Sequence, residues 1–242
     1  MAEAPLTITA VTVDAFVVPL ATTLTDTMHG EQKAFGLATV RITCSDGTTG
    51  LGYAPTVKAV GVGAVRALLA EDMAPLLLGE DPRCVERLWE KLWWQLHYVG
   101  RGGVAAFAMA TADVALWDIK GRRAGEPWWR MLGGHSNTVR AYAGGIDLLL
   151  PLPALLQQTR DNLAKGFTAI KMKVGRPKLA EDVARVVAMR ELVGPDVLLM
   201  VDANMRWTAA QAIDACKALK ASGAELHWVE EPVRSMHAYV RP

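Results

Sequence analysis

Residues 169–174 read AIKMKV, residues 198–204 read LLMVDAN, and residues 227–232 read HWVEEP. Each stretch is a short apolar run, typical of a buried parallel strand, with charged side chains within it or at its end. Lys173 and Asp202 are 29 positions apart, and Asp202 and Glu230 are 28 positions apart. A (β/α)8 barrel uses roughly 30 residues per unit and places its chemistry at the carboxyl ends of its strands. The spacing therefore predicts successive units of a barrel with these three residues at its mouth.

Strands alternate with helices throughout residues 135–242, which indicates βαβ units and a parallel sheet. The predicted strands cover residues 139–146, 169–174, 197–201 and 226–229, and the predicted helices cover 153–165, 179–192 and 209–221. About four βα units are present. We therefore predict an incomplete (β/α)8 TIM-type barrel domain over residues 135–242.

Residues 1–134 have a different order of predicted elements: the strands come first and the helices follow. The predicted elements are strands at 6–20, 37–44 and 49–54, a loop at 21–33, and helices at 57–78, 84–96 and 104–123. Asp46 and Gly47 between the second and third strands are a strong hairpin signal, because both tolerate positive φ. This order predicts an α+β domain over residues 1–134.

Composition excludes several classes of function. The chain has 242 residues, of which 26 are Lys or Arg and 25 are Asp or Glu. This balance gives no positive electrostatic field that would attract nucleic acid. Charged residues and prolines interrupt every apolar run short of a membrane span. Cys44, Cys84 and Cys216 are too few and too scattered for a disulfide framework. We expect a cytoplasmic protein with free thiols that binds neither nucleic acid nor membrane.

Lys171 and Lys173 lie two positions apart in a predicted strand, so both side chains project from the same face. Two ammonium groups on the inner face of a barrel disfavour each other's charged form, and burial acts in the same direction. A lysine with a lowered pKa can serve as a general base near neutral pH. On a solvent-facing strand, the same two lysines would be ordinary surface residues.

Asp202 and Glu230 follow neighbouring apolar strands at equivalent positions. Two carboxylates at adjacent strand ends form an oxygen-rich corner, which is the environment that Mg²⁺ prefers. Asp202 could instead cap the helix that follows it. Strand parity alone does not choose between Glu230 and Glu231.

These motifs resemble the mandelate racemase and muconate lactonizing enzyme branch of the enolase superfamily. The Lys-x-Lys, Val-Asp-Ala-Asn and Val-Glu-Glu-Pro motifs occur in order at the family's spacings. Residues 108–133 are similar to the family's signature helix, and the α+β part is similar to its capping domain. The resemblance covers nearly the whole chain.

The resemblance implies roles for individual residues. Lys173 would be the base that removes the proton α to a carboxylate, which gives an enediolate intermediate. Lys171 would lower the pKa of Lys173 and face the substrate. Asp202 and Glu230 would bind Mg²⁺ as the cofactor, with Asn204 beside them and in the substrate-binding region.

The resemblance also suggests a substrate class. Residues 94–103, WQLHYVGRGG, and the Lys-x-Lys form are similar to acid-sugar dehydratases of the talarate and galactarate kind. A racemase or a lactonizing cycloisomerase is the alternative. His29, in the loop at 21–33, and Tyr53 would contact the substrate from the capping-domain loops. We expect a small-molecule carboxylate substrate, an acid sugar or hydroxy acid, and a homo-oligomer.

Four predicted strands precede Pro242, whereas the barrel of the family has eight. From this difference we expect a chain without the third metal ligand and the second acid/base group, and hence with impaired activity. A catalytically inactive remnant that persists through its capping domain is the alternative.

Overall fold

A computed structural model of the protein describes residues 5–234. The chain divides into two compact units, one formed by Met1–Ala21 and Lys33–Thr138, and the other by Thr22–Gln32 and Val139–Pro242. The second unit thus takes a short segment from the N-terminal half of the sequence. The domain boundary near residue 134 stays a prediction.

A three-stranded sheet in the order β1-β2-β3 belongs to the first unit, apart from residues 22–26 of β1 and 30–32 of β2, which are counted with the second unit. The strands are β1 (Ile8–Asp26), β2 (Gly30–Cys44) and β3 (Thr49–Val57). β2 and β3 pair antiparallel in register from Phe35–Val57 to Thr43–Thr49. Gly47 in the connecting turn has a φ of 84°, as the predicted Asp-Gly hairpin requires.

Helices cover the first unit's sheet. They are α1 (Val62–Ala67), a π-helical turn (Leu68–Met73), α2 (Ala74–Leu77), α3 (Val85–Leu96), α4 (Val104–Ala124) and α5 (Trp128–Met131). α4 packs closely on β3, because Gly50 and Gly52 leave room for its backbone. A Cβ atom at these glycines would collide with the carbonyl oxygens of Ala115 and Thr111. The short helix α5 was not predicted.

The loop predicted at residues 21–33 is wrong over most of its length. β1 continues to Asp26, residues 27–29 form a turn, and β2 starts at Gly30. Long-range pairing explains the difference. The Thr25 N–H donates to the Ile146 carbonyl at 3.0 Å, and the Leu148 N–H donates to the Thr25 carbonyl at 3.1 Å. These two hydrogen bonds attach the segment 22–32 to the segment after residue 144 within the second unit.

The second unit contains a parallel sheet in the order β4-β5-β6-β7. The elements are β4 (Ala143–Gly144), α6 (Leu152–Ala164), β5 (Ala169–Lys173), α7 (Leu179–Val193), β6 (Leu198–Asp202), α8 (Ala209–Ala221) and β7 (Leu226–Glu230). The strand predicted over 139–146 is wrong in extent, since β4 has two residues and Val139 is 93% exposed. The structure is an α+β unit followed by a partial parallel βα barrel, which confirms the predicted fold class.

Among residues 5–234, none of the helices combines the length and the apolar character needed to cross a membrane.

Candidate active site

Alternation along β5 places its two lysines on the face opposite the second unit's apolar core. Ile170 and Met172 are buried in that core together with residues from α6, α7 and β6. Lys171 and Lys173 project from the other face, where 12% and 9% of their side chains are exposed. The sequence therefore forms a strand with one purely apolar face and one face that carries two shielded amines.

Parallel register brings the charged residues of three strands together. Lys173 pairs in register with Asp202, and Asp202 with Glu230. The Lys173 Nζ lies 2.7 Å from Asp202 Oδ2, and the Lys171 Nζ lies 3.5 Å from that oxygen. Lys171 also donates to Glu230 Oε1 at 2.8 Å. Two amines and two carboxylates thus form one contiguous cluster at the carboxyl ends of β5, β6 and β7, and we call it the Lys–Asp–Glu cluster.

The carboxylates set the ionisation of Lys171. Burial alone would lower the pKa of this lysine, but hydrogen bonds with Glu230 and Tyr142 and the charges of Asp202 and Glu230 raise it above its ordinary value. The lowered pKa expected from two neighbouring lysines is therefore wrong for Lys171. That expectation considered the repulsion between the amines and left out their attraction to the carboxylates.

Asp202 is held ionised by its surroundings. Burial raises the pKa of this carboxyl, but the hydrogen bonds from Lys173 and from the Asn204 N–H, with the charges of both lysines, bring the pKa below its usual value. The Asn204 N–H donates to Asp202 Oδ1 at 2.9 Å. Asp202 thus caps the turn after β6 through one oxygen and binds lysine through the other.

The two glutamates after β7 have different partners. Glu230 binds Lys171, whereas Glu231 Oε2 accepts a hydrogen bond from Asn204 Nδ2 at 3.3 Å. Asn204 has a φ of 43°, and its Oδ1 is buried with no hydrogen-bond partner among residues 5–234. Glu230 is therefore the glutamate in contact with Lys171, and Asn204 is hydrogen-bonded to Glu231 and to Asp202.

Two residues of the site were missed from the sequence. Asp147 is buried, and its Oδ1 accepts the Lys173 N–H at 3.0 Å while its Oδ2 accepts from Gln158 at 3.0 Å. The Tyr142 ring lies 5.2 Å from the Lys171 Nζ. Asp147 precedes Lys173 by 26 residues, so the unit spacing could have indicated it, whereas no pattern marks Tyr142.

The two predicted substrate contacts lie in different units. His29 is in the turn between β1 and β2, within the second unit, and its Nδ1 lies 2.9 Å from Asp26 Oδ2. Tyr53 is on β3 of the first unit and is 59% exposed. Both stay predicted contacts.

Asp202 and Glu230 suit a magnesium ion chemically. Mg²⁺ binds hard oxygen donors such as these two carboxylates, and it would compete for them with the Lys171 and Lys173 amines that they face. Residues 5–234 hold no cluster of three or more His, Cys, Asp or Glu side chains arranged for a metal ion. Asp202 and Glu230 therefore stay predicted metal ligands.

Comparison with known families agrees with this fold. Residues 7–133 match the mandelate racemase / muconate lactonizing enzyme N-terminal domain, and residues 154–241 match the enolase C-terminal domain-like family. The chain therefore belongs to the mandelate racemase and muconate lactonizing enzyme branch of the enolase superfamily.

Two of the similar relatives are named as enzymes of acid sugars. A 3,6-anhydro-alpha-L-galactonate cycloisomerase from Streptomyces coelicolor is 52% identical, with 90% of this chain and 60% of the relative covered. An L-talarate/galactarate dehydratase from Salmonella typhimurium is 38% identical, with 89% and 54% covered. The chain thus spans between half and two thirds of the length of these relatives.

Solved structures show the same fold. A racemase from Streptomyces coelicolor A3(2) with bound magnesium superposes with a TM-score of 0.90 at 51% identity, covering 94% of this chain and 63% of that one. The Salmonella typhimurium L-talarate/galactarate dehydratase with Mg and L-lyxarohydroxamate gives 0.88 at 34% identity, covering 96% and 60%.

Proposed function

We propose that this protein removes the proton α to the carboxylate of an acid sugar, and that elimination of the β-oxygen follows. The observation that carries this proposal is the Lys–Asp–Glu cluster at the ends of three adjacent parallel strands. Barrel enzymes hold their catalytic groups at this edge. The relatives named above, a sugar-acid cycloisomerase and a sugar-acid dehydratase, support the substrate class.

Each residue of the cluster has a proposed task. Lys173 takes the α-proton onto Nζ, and Lys171 holds the substrate carboxylate through its charge. Asp202 and Glu230 would hold Mg²⁺, which when bound would supply positive charge against the negative charge that develops on the substrate carboxylate. Asp147 fixes the backbone of the base, because it accepts the Lys173 N–H.

Lys173 must be neutral to accept a proton, and in this structure it donates to Asp202. A metal ion on Asp202 would compete with the Lys173 amine for the carboxylate oxygen, which would leave the Lys173 Nζ available to the substrate.

We propose elimination because a similar relative is named as an L-talarate/galactarate dehydratase. Elimination needs an acid to protonate the departing oxygen, racemisation needs a second base on the opposite face, and the Lys–Asp–Glu cluster supplies the first base. Racemisation and lactonizing cycloisomerisation are the alternatives, and an epimerised substrate or a lactone would reveal them. Homo-oligomerisation stays a prediction.

The test is α-proton exchange in D₂O, followed by NMR, with galactonate, galactarate and mandelate in the presence of Mg²⁺. We expect exchange at C2 of at least one sugar acid, and a keto-deoxy acid where elimination is completed. Exchange with mandelate alone would contradict the proposed substrate class. Absence of exchange with all three acids would contradict the proposed chemistry.

A further inference from the structure

The turn at residues 27–29 crosses the carboxyl edge of the parallel sheet. Thr25 is hydrogen-bonded to the backbone of residues 146 and 148 after β4. Thr27 Oγ1 donates to the Ala203 carbonyl after β6 at 2.8 Å. Between these two anchors, Thr27 packs against Gly175. A Cβ atom added to Gly175 would lie 2.7 Å from the Thr27 methyl carbon. The turn therefore spans the ends of β4, β5 and β6, where Lys173 and Asp202 are located.

A buried carboxylate organises this turn. Asp26 Oδ1 accepts the N–H groups of Met28 at 2.9 Å and His29 at 2.6 Å, and its Oδ2 accepts from Gln32 Nε2 at 2.8 Å. Burial raises the pKa of Asp26, but the hydrogen bonds from the His29 N–H, the His29 ring and the Met28 N–H bring it below its usual value. Asp26 is therefore ionised at neutral pH and can only accept hydrogen bonds.

The ionised carboxylate determines the tautomer of His29. The ring Nδ1 lies 2.9 Å from Asp26 Oδ2, so this nitrogen must carry a proton. The other ring nitrogen, Nε2, has no hydrogen-bond partner among residues 5–234, and 38% of the side chain is exposed. His29 Nδ1 is thus hydrogen-bonded within the protein, and Nε2 has no hydrogen-bond partner among the described residues.

We propose that Asp26 is a positioning residue that fixes His29 with its proton on Nδ1, so that Nε2 accepts a hydrogen bond from a hydroxyl group of the substrate. A neutral imidazole offers Nε2 as an acceptor only in this tautomer, and a sugar hydroxyl is a matching donor. This inference rests on the proposed function, since it assumes that a polyhydroxylated carboxylate binds beside Lys173. It assigns selectivity for hydroxylated substrates to the pair Asp26 and His29.

The tautomer is tested by long-range ¹H–¹⁵N NMR of protein labelled at histidine. We expect the proton on Nδ1 of His29 in the wild type and on Nε2 in Asp26→Asn, because the amide can donate to Nδ1. Asp14→Asn, at an exposed position on β1, is the matched control and should leave the tautomer unchanged. A wild-type ring with its proton on Nε2 would overturn the positioning role.

The substrate contact is tested by titration with galactonate and with hexanoate, a carboxylate without hydroxyl groups. We expect galactonate to shift the His29 Nε2 signal, hexanoate to leave it in place, and Asp26→Asn to weaken galactonate binding about fivefold, as for the loss of one hydrogen bond. If the Lys171 and Lys173 signals respond to galactonate and His29 does not, this inference fails and the proposed function stands. If no signal of the three responds, both fail. The wild-type titration decides the question even if Asp26→Asn does not fold.

Discussion

The Nζ atom of Lys173 lies 2.7 Å from Oδ2 of Asp202, and both side chains are almost fully buried. These residues are register partners at the ends of β5 and β6, so the pairing follows directly from the parallel alignment of the strands. A buried ion pair of this kind holds its partners in place, and removal of one partner leaves the other charge uncompensated. The pair therefore links the stability of the sheet to the proposed chemistry.

Asp202→Asn should destabilise the protein at neutral pH by about 2–3 kcal/mol, because Lys173 loses a charged acceptor in a buried site. The pKa of Asp202 is lowered in the folded state, so its contribution is complete above the ordinary Asp pKa, about 4. This contribution is lost as the pH falls through the folded value. Urea unfolding at several pH values measures the difference, with the exposed Asp196→Asn as control. Equal stability of Asp202→Asn and wild type at pH 7 would contradict the prediction.

Addition of Mg²⁺ should lower the pKa of Lys171. In the structure this pKa is raised by Glu230, Tyr142 and Asp202 against the effect of burial, and a cation that engages the carboxylates removes most of that stabilisation. NMR titration of the lysine side chains with and without Mg²⁺ measures the shift. Lys165, an exposed residue after α6, is the internal control. Glu230→Gln should reduce the response, and an identical titration of Lys171 with and without Mg²⁺ would argue against a metal at this site.

Asp147→Ala should be more harmful than Asp147→Asn. The alanine leaves the Lys173 N–H and the Gln158 amide without their acceptor inside the protein, which costs about 1–3 kcal/mol per buried group. The asparagine keeps one oxygen for the Lys173 N–H, and the Gln158 amide can turn to present its own oxygen. Thermal unfolding of both variants tests this order. Similar losses in both variants would mean that the charge of Asp147, rather than its hydrogen bonds, supports the site.

Gly50→Ala should destabilise the first unit by about 1–3 kcal/mol, because the added methyl group collides with the Ala115 carbonyl of α4. Gly63→Ala is the matched control. Gly63 lies in α1 with nothing within 4 Å of an added Cβ, so alanine should stabilise the helix by about 0.5–1 kcal/mol. Denaturant unfolding of the two variants should therefore give changes of opposite sign. A neutral Gly50→Ala would show that α4 and β3 can separate without loss.

The strand ends could be predicted from the sequence because local rules determine them. Alternation within β5 places both lysines on one face, and near-equal spacing puts Lys173, Asp202 and Glu230 at the same level of neighbouring strands. Asp147 escaped prediction because β4 has only two residues and gives no alternating pattern. The raised pKa of Lys171 was missed because it depends on which carboxylates reach the amine. The pairing of Thr25 with residues 146 and 148 joins distant parts of the chain, so no local pattern indicates it.

The role of Lys173 as the base is tested most directly by deuterium exchange at C2 of galactonate in D₂O with Mg²⁺. Lys173→Met removes the amine and keeps a side chain of similar length, and Lys165→Met makes the same change at an exposed position. We predict that Lys173→Met lowers the exchange rate by about 100-fold or more, as for loss of a general base, while Lys165→Met leaves it unchanged. Exchange at the wild-type rate in folded Lys173→Met would contradict the assignment of Lys173 as the base.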